Sequence, residues 1–426
     1  WLKTLQLERR TWLQRQMLRQ CGFARHHVLV LVSFAVQANC LGLKFSFGQL
    51  FAALKAQTGE AAGSLALIGA SRDFVFHLTN MAAGFAVRRV GYVRMMTSGL
   101  LVLVASLLLD SIAPATEWLF LSYSLLSGIS LAMLLTPAIT VLYEYLQDNQ
   151  LKAAVYLASS GLGAGGLVVN AAMHRSHLEF GWRATQRISA MICSIVLASS
   201  LVGLWWATRS NPRPEWNSSL KRSVGMVLKE LLQPFAELNF ILLCAAFFFY
   251  FCGFTVPYTH LVFYAREVHG YEGAPQLMSR MGFASMLGSL ASGFGSKYCR
   301  ASLLLPLVIT AHGAALISLP YCSTADELES FARLFGAFAG IRLGVQSLVI
   351  AEFFGGERLP HLYGLANLPM SLGSLVGPAM VGAVYDVTSS YTLAFWGAGA
   401  QMLLAIPLIF LVRCRVSSVR PVIAPK

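Results

Sequence analysis

Apolar runs of about 20 or more residues recur along this chain and are separated by short polar connections. A helix rises about 1.5 Å per residue, so a run of this length spans the roughly 30 Å of hydrocarbon in a bilayer. Of the 426 residues, 56% are hydrophobic and 12% are charged. An ordinary soluble domain carries about twice that share of charge. The pattern therefore predicts an all-α polytopic membrane protein and disfavours a soluble helical domain.

The runs predict twelve membrane-spanning helices in two halves of six. We place them at 27–53, 63–87, 94–113, 117–145, 153–174, 184–207, 237–264, 275–297, 302–321, 328–354, 361–384 and 390–413. The longest polar connection separates spans six and seven and contains prolines that break a helix. We therefore expect an N-terminal half over 1–207 that begins with a basic tail, a central loop over 208–236, and a C-terminal half over 237–426.

Lys and Arg are distributed unequally between the two sides of the predicted membrane. Of the 32 such residues, 22 lie in the tails and connections of one side, and only Lys55, Arg175, Arg183 and Arg266 lie on the other. Cytoplasmic segments of membrane proteins carry the excess of positive charge. We therefore expect a multi-pass plasma-membrane protein with both termini and the central loop in the cytoplasm.

Several other classes of function are disfavoured by the same sequence. The eight cysteines are scattered without a CxxC pair, so neither a metal site nor a disulfide framework is indicated. The net charge of +13 comes from basic residues in short connections, which does not suggest binding to nucleic acid. The stretch 161–166 reads "GLGAGG", but it lies inside an apolar span with no preceding strand, so it does not predict a nucleotide site. No spacing of nucleophile and base indicates an enzyme, and we expect no cofactor.

A few charged side chains lie inside the predicted spans. The basic ones are Lys44, Arg72, Arg187, Arg280, Arg333 and Arg342. Lys44 and Arg72 are each nine residues from the outer end of their span, about 13 Å at ~1.5 Å per residue. Arg342 is at a similar depth, whereas Arg280 and Arg333 are nearer the outer mouth. Since a charge facing lipid at mid-depth costs roughly 2.5–3.5 kcal/mol, we expect these side chains to face protein or a hydrated cavity.

Two interpretations of these cations remain open. In the first, Lys44, Arg72 and Arg342 bind the carboxylate of an anion, which Arg can hold with two hydrogen bonds. In the second, the cations are structural and are tied to helix carbonyls or to neighbouring acids. Arg333 has two such acids close by, Glu327 and Glu329.

Asp73 is the acid that we identify at mid-span, and it is the candidate for carrying a proton. A carboxylate in a partly dry cavity resists ionisation, and a nearby cation opposes that effect. His77 follows four residues later on the same helical face. It is either a partner in a proton relay or a packed histidine.

Paired six-span halves are the architecture of the major facilitator superfamily. The stretch 84–94 reads "GFAVRRVGYVR" and resembles the Gly-x-x-x-Asp-Arg-x-Gly signature of that superfamily, with Arg88 in place of the acid. The stretch "GFGSKY", which begins at Gly293, echoes it six spans later. Within the superfamily, the chain resembles the monocarboxylate transporter family. The likeness rests on four stretches: "FSFGQLF" (45–51), "YEYLQDNQLKAAVYLASSGLGAGG" (143–166), "VPYTHLVFYAREVHG" (256–270), and "GGERLPHLYGL" with "LVGPAMVGAVYDVTSSYTLAFWGAG" (355–365, 375–399).

The resemblance implies proton-linked transport of small monocarboxylates by alternating access, with a single-span accessory glycoprotein as a partner. The sequence departs from the family at its site, however. The family's eighth-span Asp and Arg fall on Ser285 and Ser289, and its first-span lysine falls on or beside Phe45, next to Lys44. Arg72, Arg280 and Arg342 are then the candidates to replace the missing cation, and Asp73 the missing acid.

We therefore predict a transporter of small organic anions in the lipid bilayer. Its substrate-binding candidates are Lys44, Arg72 and Arg342, with Arg280 and Arg333 attracting anions at the mouth. One alternative is a facilitator of neutral or aromatic substrates with structural Arg residues. Another is a membrane sensor or scaffold that does not transport, for which long signalling tails would be expected.

Overall fold

The computed structural model describes residues 25–146, 148–209, 233–295, 299–355 and 358–419. Within these ranges the chain is helical and contains no strand. This confirms the prediction of an all-α polytopic protein. Most of the predicted basic tail and most of the central loop lie outside the described residues, so the boundary between the two predicted halves stays a prediction.

The helices follow one another with short connections. Their bounds are α1 25–45, α2 Phe47–Thr58, α3 Ala62–Val90, α4 Tyr92–Ile112, a π-helical segment Phe120–Leu126, α5 Ser127–Tyr145, α6 Asp148–Ser159, α7 Gly161–Thr208, α8 Leu238–Phe254, α9 Val256–Glu267, α10 Ala274–Gly295, α11 Ala301–Ser318, α12 Ala325–Phe354, α13 Leu359–Thr388, α14 Thr392–Leu403 and α15 Ala405–Val419.

Nine helical segments of the described chain are long and apolar enough to cross a membrane. One of them, Ala153–Thr208, accounts for two predicted spans because its path changes direction at Gly181, where φ is 77°. A left-handed conformation of this kind is readily adopted only by glycine. The predicted spans two and eight correspond to α3 and α10, which are not among these nine segments.

The first and seventh spans are each bent at one residue, Ser46 and Thr255. At both bends a side-chain hydroxyl donates a hydrogen bond to the preceding turn, from Ser46 Oγ to Leu43 O at 2.8 Å and from Thr255 Oγ1 to Phe251 O at 3.2 Å. Back-bonding of this kind often bends helices. The two bends are 209 positions apart, as are Gly84 and Gly293 of the repeated stretch. The two groups of six spans therefore share a bend at equivalent positions.

Close helix packing joins the first six spans to the last six. The helix α3 packs along α13, and α7 packs along α10. A Cβ atom built on Gly282 of α10 would lie 2.5 Å from the backbone carbon of Gly166 in α7. A Cβ atom on Gly382 of α13 would lie 2.7 Å from the Cα atom of Gly63 in α3. Small residues permit this approach, which is how membrane helices gain van der Waals contact.

The N-terminus of α3 is capped by a side chain from α13. The residue that precedes the helix is Ala61, which provides no side-chain cap. The carboxylate of Asp386 instead accepts hydrogen bonds from the backbone N–H groups of Ala62 at 2.8 Å and Gly63 at 2.7 Å. An acid at this position satisfies free N–H groups and complements the helix dipole. This contact closes the predicted outer ends of the two helices against each other.

Gly377 tests the importance of close packing for the fold. A Cβ atom at this position of α13 would lie 1.8 Å from the carbonyl oxygen of Cys252 in α8. We expect Gly377→Ala to destabilise the protein by at least about 1–3 kcal/mol, because the helices must move apart. Gly397→Ala is the matched control, since a Cβ atom there meets nothing within 4 Å. Thermal unfolding in detergent should show a lower Tm for Gly377→Ala only, and equal Tm values for the two variants would contradict the packing described.

Candidate functional site

Two of the predicted cations and the predicted acid meet in one buried cluster. Lys44 lies at the end of α1, and Arg72 and Asp73 are neighbours on α3. Lys44 Nζ is 3.4 Å from Asp73 Oδ2, and Arg72 Nε is 3.9 Å from Asp73 Oδ1. The side chains of Lys44 and Arg72 are 5% and 3% exposed, and that of Asp73 is 12% exposed. Two cations thus share one carboxylate, which leaves a net positive charge.

Arg72 is held by protein acceptors on the side away from Asp73. Its guanidinium donates hydrogen bonds to the hydroxyl of Tyr123 and to the carbonyl oxygens of Leu43 and Lys44. Its carbon Cζ lies 4.4 Å from the centre of the Tyr123 ring. Tyr123 belongs to the π-helical segment, which is itself attached to α3 by a hydrogen bond from Ser124 Oγ to Ile68 O at 2.7 Å. The π-helical segment therefore orients Arg72.

Aromatic rings surround the ammonium group of Lys44. Its Nζ atom lies 4.4 Å from the centre of the Phe76 ring and 5.5 Å from that of Phe45. A cation over an aromatic face is attracted by the ring quadrupole, and the attraction grows when water is excluded. Lys44 is therefore stabilised by rings as well as by Asp73.

Arg342 lies on α12, in the other group of six spans. Its guanidinium donates to Gln346 Oε1, and its carbon Cζ lies 4.4 Å from the ring centre of Phe254 and 5.3 Å from that of Phe251. No Asp or Glu among the described residues forms an ion pair with it. Its Nε atom is buried with no hydrogen-bond partner in the described part of the chain. Arg342 is the predicted cation whose charge is least compensated.

His77 connects α3 to α13. Its Nδ1 atom is 3.0 Å from Asn367 Oδ1, and its ring packs edge-on against Phe251 at 5.5 Å between centroids. The Nε2 atom of His77 is buried and has no hydrogen-bond partner among the described residues. His77 and Asp73 therefore lie on one helix but make different contacts.

The charged cluster borders a small cavity at the bends of spans one and seven. Its lining includes Lys44, Arg72, Asp73 and Tyr258. A neighbouring cavity shares Phe45 and Tyr258 with it. Both cavities are narrow, and Arg342 lines neither of them.

Arg280 and Arg333 are not part of this cluster. Both form ion pairs with Glu329, which also accepts a hydrogen bond from Tyr271 Oη at 3.0 Å. Arg333 is 57% exposed, and Glu327 forms the N-terminal capping box of α12 with Thr324. Arg333 is thus tied to a neighbouring acid, as in the second interpretation of the cations, and that acid is Glu329. Attraction of anions by Arg280 and Arg333 stays a prediction.

Several residues near the cluster were not selected from the sequence. Tyr123, Gln346 and Asn367 each contact a predicted site residue. Asp110 on α4 is a second acid that is fully buried, with 0% exposure. Asp110 lies within the predicted span 94–113, so its burial could have been predicted from the sequence. Tyr123, Gln346 and Asn367 are uncharged, so hydropathy did not distinguish them.

A family model described as Major Facilitator Superfamily matches residues 32–332 of the chain. The chain belongs to the major facilitator superfamily. The match extends from the first span into the tenth, so it includes both bends and the charged cluster. The protein is accordingly a multi-pass membrane transporter and not an enzyme.

Three relatives illustrate where this transporter lies in the superfamily. It is 26% identical over 381 residues to monocarboxylate transporter 13 of Rattus norvegicus, covering 88% of this chain and 86% of the relative. It is 24% identical over 336 residues to monocarboxylate transporter 12 of Xenopus laevis, covering 72% and 71%. It is 23% identical over 367 residues to the MFS-type transporter pynF of Aspergillus niger, covering 84% and 81%. The predicted resemblance to monocarboxylate transporters is therefore confirmed.

The buried charges allow a test of the cluster by stability. We expect Asp73→Asn to destabilise this transporter by about 3–5 kcal/mol, because it leaves Lys44 and Arg72 buried without a counter-ion. The double variant Lys44→Met, Asp73→Asn should recover part of the loss. Glu179→Gln is the control, since its partner Arg175 is 84% exposed and exposed pairs contribute little. If Asp73→Asn leaves the free energy of unfolding in detergent unchanged, the result would contradict the ion pairs described.

Proposed function

We propose that this transporter carries small organic anions, in the first place monocarboxylates, by alternating access. The observation that supports the proposal is the set of three buried cations, Lys44, Arg72 and Arg342. Among the described residues, Asp73 is in ion-pair contact with the first two and no acid pairs with the third. Buried charges are costly without partners, so a net positive site favours an anion that supplies the missing charge. The names of two of the relatives agree with this substrate class.

Lys44 and Arg72 are the groups proposed to bind the carboxylate. Arg72 already donates to three protein acceptors, which leaves its orientation fixed and its contact with Asp73 long, at 3.9 Å. Lys44 pairs with Asp73 at 3.4 Å. An arriving carboxylate would compete with Asp73 for these two cations. Arg342 would contribute attraction from α12, one of the last six spans.

Proton coupling is proposed to follow from that competition. Asp73 is in ion-pair contact with Lys44 and Arg72. A substrate carboxylate that displaced Asp73 from these cations would leave a buried carboxylate without a counter-ion, and a proton carried with the substrate would remove that unpaired charge. His77 is on the same helix and has a free Nε2 atom among the described residues, so it is the candidate to pass the proton on.

The location is proposed from the distribution of charge. The excess of Lys and Arg on one side supports cytoplasmic termini, and we propose the plasma membrane as the site of action. The single-span accessory glycoprotein is an expectation from the resemblance alone. A sensor or scaffold that does not transport has no observation in its favour.

A facilitator of neutral or aromatic substrates is the second candidate function. It is favoured by the three protein acceptors that already bind the Nη atoms of Arg72, and by the rings that border the charged cavity, Phe45, Phe47 and Tyr258. Competition experiments separate the two candidates. Carboxylates inhibit uptake under the first proposal, and uncharged aromatic compounds inhibit it under the second.

Uptake of a labelled carboxylate into proteoliposomes tests the anion proposal. We expect Arg72→Gln and Arg342→Gln to raise KM for propanoate roughly 10- to 150-fold, the effect of losing a hydrogen bond or a close attraction to a charged group. An inward proton gradient should stimulate uptake by the unmodified protein. Arg175→Gln is the matched control, because its side chain is 84% exposed and pairs with Glu179.

Two outcomes of that uptake experiment would contradict the proposal. If Arg72→Gln and Arg342→Gln both transport propanoate as well as the control does, the cations do not bind the anion. If uptake is insensitive to the proton gradient while the Arg variants are impaired, the anion proposal holds and the proton coupling is wrong.

Alternating access gives a separate prediction at Asp386. Its carboxylate caps α3 across the interface between the two groups of spans. Asp386→Ala should therefore loosen the predicted outer closure by about 0.5–2 kcal/mol, the usual contribution of such a cap. The measurement uses a thiol introduced into the cavity lining by Thr259→Cys. We expect this thiol to react with an impermeant reagent added outside several-fold faster when Asp386 is replaced than when Asp386 is intact. Glu179→Gln is the control. An unchanged labelling rate would show that Asp386 does not hold the outer ends together.

A further inference from the structure

The second cavity lies beside the charged one and differs from it in chemistry. The contact between the rings of Phe45 and Tyr258, with centroids 4.1 Å apart, contributes to the walls of both cavities. The remaining lining of the second cavity comes from α7 and α10 and consists of Leu162, Gly166, Asn170, Met278, Met281, Gly282 and Ser285. None of these side chains is charged. An apolar wall of this composition suits the uncharged part of a molecule.

The second cavity also contains a polar group whose hydrogen bonds are incomplete. Ser285 is 3% exposed, and its hydroxyl has no hydrogen-bond partner among the described residues. An unsatisfied buried polar group costs about 1–3 kcal/mol. A ligand in the cavity that formed a hydrogen bond with this hydroxyl would remove that cost.

The position of the second cavity links it to the transport cycle. Gly166 and Gly282 belong to α7 and α10, one of the two pairs of helices that join the first six spans to the last six. A ligand in this cavity would therefore contact both groups of spans at once. The thioethers of Met278 and Met281 can adjust to several apolar shapes.

We infer that the second cavity is a subsite for the tail of the transported acid. The carboxylate would lie at Lys44 and Arg72, the middle of the molecule beside Phe45 and Tyr258, and an apolar tail with one hydroxyl group against Ser285. This inference rests on the proposed anion transport and narrows it. The predicted substrates are then aromatic or branched acids that carry a polar group on the tail. Acids of two or three carbons lack the tail that this subsite recognises.

A pair of acids that differ by one hydroxyl tests the subsite. The probes are 3-(4-hydroxyphenyl)propanoate and 3-phenylpropanoate, with propanoate as the acid that lacks a tail. In proteoliposomes, we expect kcat/KM to be about three- to tenfold higher for the hydroxylated acid than for 3-phenylpropanoate, the effect of one hydrogen bond between uncharged groups. Ser285→Ala should bring that ratio close to one.

Ser289→Ala is the matched control for the subsite. Ser289 lies one turn further along α10, is 1% exposed, and also has a hydroxyl without a partner among the described residues, but it does not line the cavity. The ratio should persist in this variant. Met278→Phe gives a second test. The phenyl ring that it introduces should fill part of the cavity and reduce uptake of both aromatic acids relative to propanoate.

The outcomes separate failure of the subsite from failure of anion transport. If propanoate is transported but the unmodified protein shows no preference for the hydroxylated acid, the subsite is wrong and the anion proposal stands. A preference that Ser285→Ala and Ser289→Ala reduce equally also contradicts the subsite. If the unmodified protein takes up none of the three acids, the anion proposal fails and this inference fails with it.

Discussion

The structure depends on how a few charges are kept inside an apolar protein. Lys44 and Asp73 form an ion pair between α1 and α3, and Arg72 shares the same carboxylate. Removing ions from water costs several kcal/mol each, and only good partners offset that cost. Rings and a π-helical segment complete the surroundings of the two cations. The remaining positive charge is the basis of the proposed anion site.

Close packing and local bends determine where that charge lies. Hydroxyl groups of Ser46 and Thr255 bend spans one and seven at equivalent positions, and the cavity lies at these bends. Glycines then bring the helices of the two groups of spans together, as at Gly166 and Gly282. Small residues let the helix backbones approach closely, so these interfaces depend on van der Waals contact between backbones. The same contacts that build the cavity are therefore the ones that a transport cycle would rearrange.

Sequence reasoning predicted individual residues of the site better than their partners. The pair of Arg333 and Glu329 was foreseeable because the residues are four apart on one helix. Lys44 and Asp73 are separated by 29 positions, and no local pattern connects them. The rings that contact Arg342 come from another helix, α8, and its amide partner is an uncharged residue. Asp110 was overlooked because it is near the predicted end of a span, where an acid commonly reaches water.

The sequence by itself determined the membrane class, the approximate spans and the presence of charges deep inside them. These features follow locally, since the thickness of the bilayer imposes a length and a composition on each segment. Only the tertiary structure decided which charges neutralise each other and which remain available. That outcome depends on the rotation and bending of each helix relative to its neighbours, and these are properties of the packed assembly of helices.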